Sequence, residues 1–241
     1  MNWSESGQEH ESSRADKPAA ILCSALLLDL DGVLIDSTPA VHRVWAQWAI
    51  EHGFDPDVVV AHAHGRPSLS TVRHFLPHAD PEWENREVEG REIKDVEGIV
   101  VLPGAMQLLA SLAPPRWTVA TSCTRRLAEV RLRAAGLPIP TAMVTATDVT
   151  RGKPDPEPFL KAAEKLGFRA SECVVCEDAP AGVRAGKAAG AHVVALRTTF
   201  PEAELRAAGA DFVVDNCGAI SVVESACSLA LHLKSVNLNC F

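Results

Sequence analysis

Three things are scarce in this 241-residue sequence: apolar runs of membrane length, basic residues in excess, and paired cysteines. No apolar run reaches the ~20 residues that a spanning helix needs. Arg14 and Lys17 ahead of the apolar run 18–28 imitate a secretion signal. Glu5, Glu9, Glu11 and Asp16 spoil the positive start, and the run passes into Asp29-Leu30-Asp31 where a cleavage site would stand. Residues 1–19, rich in Ser and Glu, are therefore expected to form a disordered leader. Lys and Arg number 23 against 31 Asp and Glu, a net charge of −8. That balance disfavours wholesale binding of nucleic acid or anionic membrane and leaves room for a small phosphorylated metabolite at one local site.

The seven cysteines are an odd number, scattered at 23, 123, 173, 176, 217, 227 and 240. A chain this long buries enough surface to fold without bridges, so reduced thiols and a cytoplasmic location are expected. Cys173-Val174-Val175-Cys176 invites a zinc or redox reading, but a zinc knuckle wants a second pair and the sequence has none. Its neighbours make it part of an apolar strand, where residues three apart face opposite ways. What the sequence does have is 47% hydrophobic and 22% charged residues, the balance of a folded globular chain.

From residue 100 onward short apolar runs alternate with amphipathic segments. Candidate strands are Leu26–Leu28, Trp117–Thr121, Ala142–Thr145, Cys173–Cys176, His192–Leu196 and Phe212–Val214. Candidate helices are Ala105–Leu112, Thr124–Ala135, Glu157–Leu166, Ala181–Ala189 and Glu202–Ala208. This alternation predicts an α/β fold, a Rossmann-like parallel sheet with helices on both faces. Residues 38–98 break the rhythm: Val41–Glu51, Ser68–Phe75 and Glu82–Val96 read as helices, and no strand is convincing. The expected organisation is a core of 20–37 and 99–235 carrying a helical cap, 38–98, inserted after the first strand.

In open parallel sheets ligands bind beyond the carboxyl ends of the strands. Just past the apolar runs stand Asp29 and Asp31 with Gly32, then Thr121 and Ser122, then Gly152-Lys153-Pro154, then Glu177 and Asp178. Taken singly each has a plain reading as turn or helix-cap chemistry. Four such groups in order on successive strands have no such reading. Four carboxylates and one ammonium on one edge demand a cation, and a hard, oxygen-liganded one such as Mg²⁺ suits carboxylates plus a substrate phosphate. With no His in these loops and no Cys but Cys176 taken into account, zinc is disfavoured.

At these residues the sequence resembles the haloacid dehalogenase-like superfamily, in particular its sugar- and polyol-phosphate phosphatases with a small helical cap. The match is carried by Asp29-Leu-Asp-Gly-Val33, Val119-Ala-Thr-Ser122, Gly152-Lys-Pro-Asp-Pro-Glu-Pro158 and Glu177-Asp-Ala-Pro-Ala-Gly-Val183. The resemblance implies that Asp29 is the nucleophile and Asp31 the general acid and base. It implies Mg²⁺ held by Asp29, Asp178 and the Asp31 carbonyl, with Glu177 in or near the ligand set. Thr121, Ser122 and Lys153 would hold the phosphoryl group. An acid at position 31 sets the chain apart from the dehalogenases. β-Phosphoglucomutase-like mutases share every core motif and stand as the alternative, while a non-enzymatic binding module would need a damaged motif set. In the insertion, His64 and Arg66 flank Gly65 and are the expected substrate contacts, with His62 nearby. Asp36 and Ser37 are expected to start the first cap helix, and Trp45 and Trp48 to fill its core.

Overall fold

The computed structural model describes residues 20–63, 66–225 and 228–234. The expected leader, 1–19, lies outside the described residues. The apolar N-terminal run divides at Ser24 into β1 (Ile21–Cys23) and β2 (Ala25–Leu28), and a short β3 (Ile35–Asp36) follows. Four helices come next: α1 (Thr38–Glu51), α2 (Pro56–Ala63), α3 (Ser68–Phe75) and α4 (Pro81–Lys94). The chain returns through β4 (Val100–Val101), which pairs antiparallel with β3 and closes the neck of the helical insertion.

Beyond the neck, α5 (Ala105–Ala110), β5 (Trp117–Val119), α6 (Arg125–Ala134) and α7 (Glu157–Leu166) lead to β6 (Cys173–Glu177). Then come α8 (Pro180–Ala188), β7 (His192–Leu196), α9 (Glu202–Ala207) and β8 (Phe212–Val214). The parallel sheet has five strands in the order β5-β2-β6-β7-β8. It is the α/β sheet that the sequence predicts, with helices on both faces. All four residues of β2 are fully buried. Leu26 and Leu28 pack on one face with α5 and α6, and Ala25 and Leu27 on the other with α7, α8 and α9. Cys173 joins the second cluster and Cys176 the first, so this pair faces opposite ways and forms no site.

Four expectations need correction. The candidate strand Ala142–Thr145 contributes only a single bridge, Val144 to Ala120. The predicted ends of several helices were too generous: α4 stops at Lys94, where Asp95 turns extended, and α5 stops at Ala110. Helix α2, with its run Val58-Val59-Val60, is not among the expected helices; the structure starts it with Pro56 in the first turn and the Asp55 carboxylate accepting from the Asp57 amide at 2.9 Å. A second sheet was also missed: β9 (Ile220–Glu224) and β10 (Leu229–Leu233) join β1 antiparallel in the order β1-β10-β9.

The insertion has its own small core. Trp45 and Trp48 meet edge to face at 5.4 Å, and both pack with Val59, Val72 and Val88. Trp48 donates its indole N–H to Glu84 of α4 at 3.1 Å. Ser37 stands at the N-cap of α1 without a capping bond from its side chain, and Asp36 before it accepts from the Thr38 amide at 2.9 Å. Among the described residues no helix is long and apolar enough to cross a membrane. Leu27→Ala, in the centre of β2, is expected to cost about 2–5 kcal/mol by leaving a cavity that the sheet cannot close. Urea denaturation should show a lower midpoint at unchanged slope.

Candidate active site

Strand β2 lies between β5 and β6, and the chain leaves its carboxyl end for one side of the sheet before returning to the other. That reversal opens a crevice at the strand ends. Asp29 stands there, its backbone amide donating to the Cys176 carbonyl at 2.9 Å. Glu177 ends β6 and Asp178 follows it. The three carboxylates offer oxygens all within 4.8 Å of one another. Lys153, on the loop before α7, donates its ammonium to Asp29 Oδ1 at 2.7 Å and Glu177 Oε1 at 2.6 Å. Its charged end also lies 5.1 Å from the centre of the Phe159 ring.

The backbone is shaped to admit these acids. Gly32 has φ +79°, and a Cβ there would sit 1.9 Å from Asp178 Oδ2. A Cβ at Gly182, in the first turn of α8, would sit 1.7 Å from Glu177 Oε1. Glu177 Oε2 accepts from the amides of Asp178 and Ala179, both at 2.9 Å. Burial pushes the Asp29 carboxyl up to about 7, with Lys153 opposing and Glu177 adding to the rise. Asp178 is likewise pushed well up, by burial and then by its two acidic neighbours. Burial alone would discharge Lys153, but Asp29 and Glu177 outweigh it and hold the ammonium charged. Three buried carboxylates against one ammonium form an oxygen-rich donor set with surplus negative charge, which fits a hard divalent cation.

Asp31 lies apart from this cluster. Its Oδ1 accepts from Ser37 Oγ at 2.5 Å, and its Oδ2 accepts from Arg131 Nη1 at 3.0 Å and from the Cys123 thiol at 3.2 Å. Burial and the nearby Asp31 charge push the Cys123 thiol well up, so it stays protonated and donates. The loops therefore do hold a cysteine beside the acids, contrary to the sequence reading, though as a neutral donor. Thr121 and Ser122 line the same cavity, and Thr121 Oγ1 accepts from the Cys123 amide at 3.1 Å. Thr199, past β7, and Arg131, on α6, also line it. The sequence marked neither.

A model of haloacid dehalogenase-like hydrolases matches residues 23–190. The chain belongs to that family. It is 46% identical over 179 residues to hexitol phosphatase A of Escherichia coli (strain K12), covering 72% of this chain and 83% of that protein. It is 36% identical over 218 residues to glycerol-1-phosphate phosphohydrolase 2 of Saccharomyces cerevisiae, covering 86% of this chain and 87% of that one. Among solved structures, a putative β-phosphoglucomutase from Bacteroides vulgatus superposes with a TM-score of 0.67 at 31% identity, over 81% of this chain and 85% of that one. The chain is a phosphatase of the haloacid dehalogenase-like family.

The helical insertion faces the sheet edge. The cavity of about 420 Å³ between them is lined from the insertion by Trp45, Arg66, Ser68, Asn85, Glu89 and Glu92, among others. Arg66 is exposed at its rim; His64 lies outside the described residues. His62 is not among the lining residues and stacks on His74 at 4.2 Å. Asn85, Glu89 and Glu92 recur at helical spacing on α4, a polar face that the sequence reading passed over. Alanine favours helices over glycine by about 1 kcal/mol, so propensity alone expects Gly182→Ala to stabilise α8. The 1.7 Å collision instead displaces Glu177 and with it Lys153. Phosphatase turnover is expected to fall about 10²-fold, as for an ångström-scale misplacement, and steady-state kinetics beside thermal unfolding tests it.

Proposed function

We propose that the chain is a Mg²⁺-dependent phosphatase of small sugar or polyol phosphate monoesters, acting through an aspartyl-phosphate on Asp29. The observation that carries this is the Asp29–Lys153–Glu177–Asp178 cluster, with Asp31 lining the same cavity. Relatives named for hexitol and glycerol-1-phosphate hydrolysis support the substrate class.

In this reading Asp29 and Asp178 hold the cation, which neutralises carboxylate charge so that a phosphate dianion is not repelled. Glu177, whose oxygens are engaged by Lys153 and two backbone amides, acts mainly by fixing Lys153. Lys153, the Thr121 hydroxyl and the Ser122 amide hold the phosphoryl oxygens. An Asp29 oxygen attacks phosphorus, the phosphorus–alkoxy bond breaks, and Asp31 gives its proton to the leaving oxygen. Asp31 then takes a proton from water, whose oxygen attacks phosphorus and releases Asp29.

The mutase reading asks for more. A mutase must grip a second phosphate from the insertion and keep water from the phosphorylated aspartate. Among the described residues of the insertion, Arg66 is the one cation lining the cavity, and Glu89 and Glu92 oppose it. That wall favours a neutral hydroxylated end over a second phosphate. No motif is damaged, which argues against a mere binding module.

The test is phosphate release from a panel of monoesters with Mg²⁺, beside interconversion of glucose 1- and 6-phosphates. Activity should vanish on exhaustive chelation and in Asp29→Asn. Asp31→Asn should lower kcat/KM for alkyl phosphates by about 10²–10⁴-fold while sparing an aryl phosphate, whose leaving group needs no proton. Rapid isomerisation with little phosphate release would overturn the proposal. Arg66→Ala is expected to raise KM for the preferred polyol phosphate and leave an aryl phosphate nearly unchanged; a uniform loss would make Arg66 structural.

A further inference from the structure

Helix α6 buries Leu127, Ala128, Arg131 and Leu132 as one stripe. An arginine only 4% exposed in that stripe stands where packing alone would set an apolar residue. Its guanidinium reaches two acids from different parts of the fold. Nη1 donates to Asp31 Oδ2 at 3.0 Å on the sheet side, and Nη2 pairs with Glu92 Oε1 of α4 at 3.5 Å. Glu92 is buried too, and the Trp45 side chain of α1 also bonds to it. The other two cations lining the cavity are placed differently: Lys153 is taken by Asp29 and Glu177, and Arg66 is exposed.

We propose that Arg131 is a positioning residue, holding Asp31 and the cap-helix acid Glu92 in one fork so that seating the insertion and aiming Asp31 are a single arrangement. The proposal rests on the reading of Asp31 as acid and base. A carboxylate on a free rotor presents its proton to a leaving oxygen only part of the time. With Oδ2 fixed by Arg131, Oδ1 is the oxygen that exchanges the proton, and its present partner is the rotatable Ser37 hydroxyl. Arginine suits the place because its planar guanidinium can bond Asp31 with one amino group and pair with Glu92 through the other, whereas lysine is a point charge on a flexible stem.

The experiment compares Arg131→Lys and Glu92→Gln in the full chain with Mg²⁺, using glycerol 1-phosphate and p-nitrophenyl phosphate. The readout is kcat/KM, which reports phosphoryl transfer to Asp29 and not the later attack by water. Arg131→Lys should lower it about tenfold or more for the alkyl ester and less than about threefold for the aryl ester. Glu92→Gln should act in the same sense and more weakly. In an Asp31→Asn background neither substitution should cost anything further, because both act through Asp31. Equal losses on both esters, or losses undiminished in that background, would reduce Arg131 to a structural pair. If Asp31→Asn itself spares the alkyl ester, the reading of Asp31 fails and this proposal with it. Should Arg131→Lys not fold, the isosteric Glu92→Gln supplies the same comparison, and its loss on both esters alike would be decisive.

Discussion

Everything at the sheet edge depends on one buried ammonium. Lys153 lies 2.7 Å from Asp29 and 2.6 Å from Glu177, and without it three carboxylates would share one dry crevice. Removing one partner of a buried ion pair costs roughly 3–5 kcal/mol, whereas an apolar replacement of the whole group is often neutral. Stability therefore gives no reason to keep this cluster. Its surplus negative charge makes sense as a socket for a cation, and the glycines at 32 and 182 exist to let the carboxylates approach their backbone neighbours.

The same constraint explains the division of the molecule. A nucleophile, the role proposed for Asp29, would need a rigid strand end, and β2 is covered on both faces and paired on both edges. The insertion adds further side chains facing that point, carried on its own apolar core and joined to the sheet by the two-residue ribbon of β3 and β4. A core separate from the main one lets the insertion's cavity-facing residues differ without disturbing β2.

Much of this was legible in the sequence because it lies in local pattern. Uninterrupted apolar runs followed by acids gave β2, β6 and their carboxylates; α7 and β7 were read to the residue. What failed was information carried by distant partners. Ile220–Glu224 and Leu229–Leu233 become strands by pairing with each other and with β1, two hundred residues earlier in the chain. Val144 looks like a strand residue, yet it finds a single bridge. Arg131 reads as one more surface charge on an arginine-rich helix, and only its burial against Asp31 and Glu92 distinguishes it. Cys123 directly follows Thr121 and Ser122, and only its burial beside Asp31 distinguishes it.

Charge distribution across the cavity gives the site a direction. The sheet side offers Lys153 and the acids that fit a cation, while the α4 side offers Glu89, Glu92 and Asn85. Glu92 is matched by Arg131, and Glu89 accepts from the Thr124 hydroxyl, so the wall is hydrogen-bonding but not cationic. Carboxylates and the Asn85 amide accept from hydroxyl groups readily, and the carboxylates repel phosphate. On the proposed reading, a molecule with one phosphate and several hydroxyls would be oriented by electrostatics, phosphate toward Asp29 and hydroxyls toward α4. On the same reading, a molecule with phosphate at both ends would set one of them against Glu89 and Glu92, with Arg66 at the rim as the insertion's cation among the described lining residues.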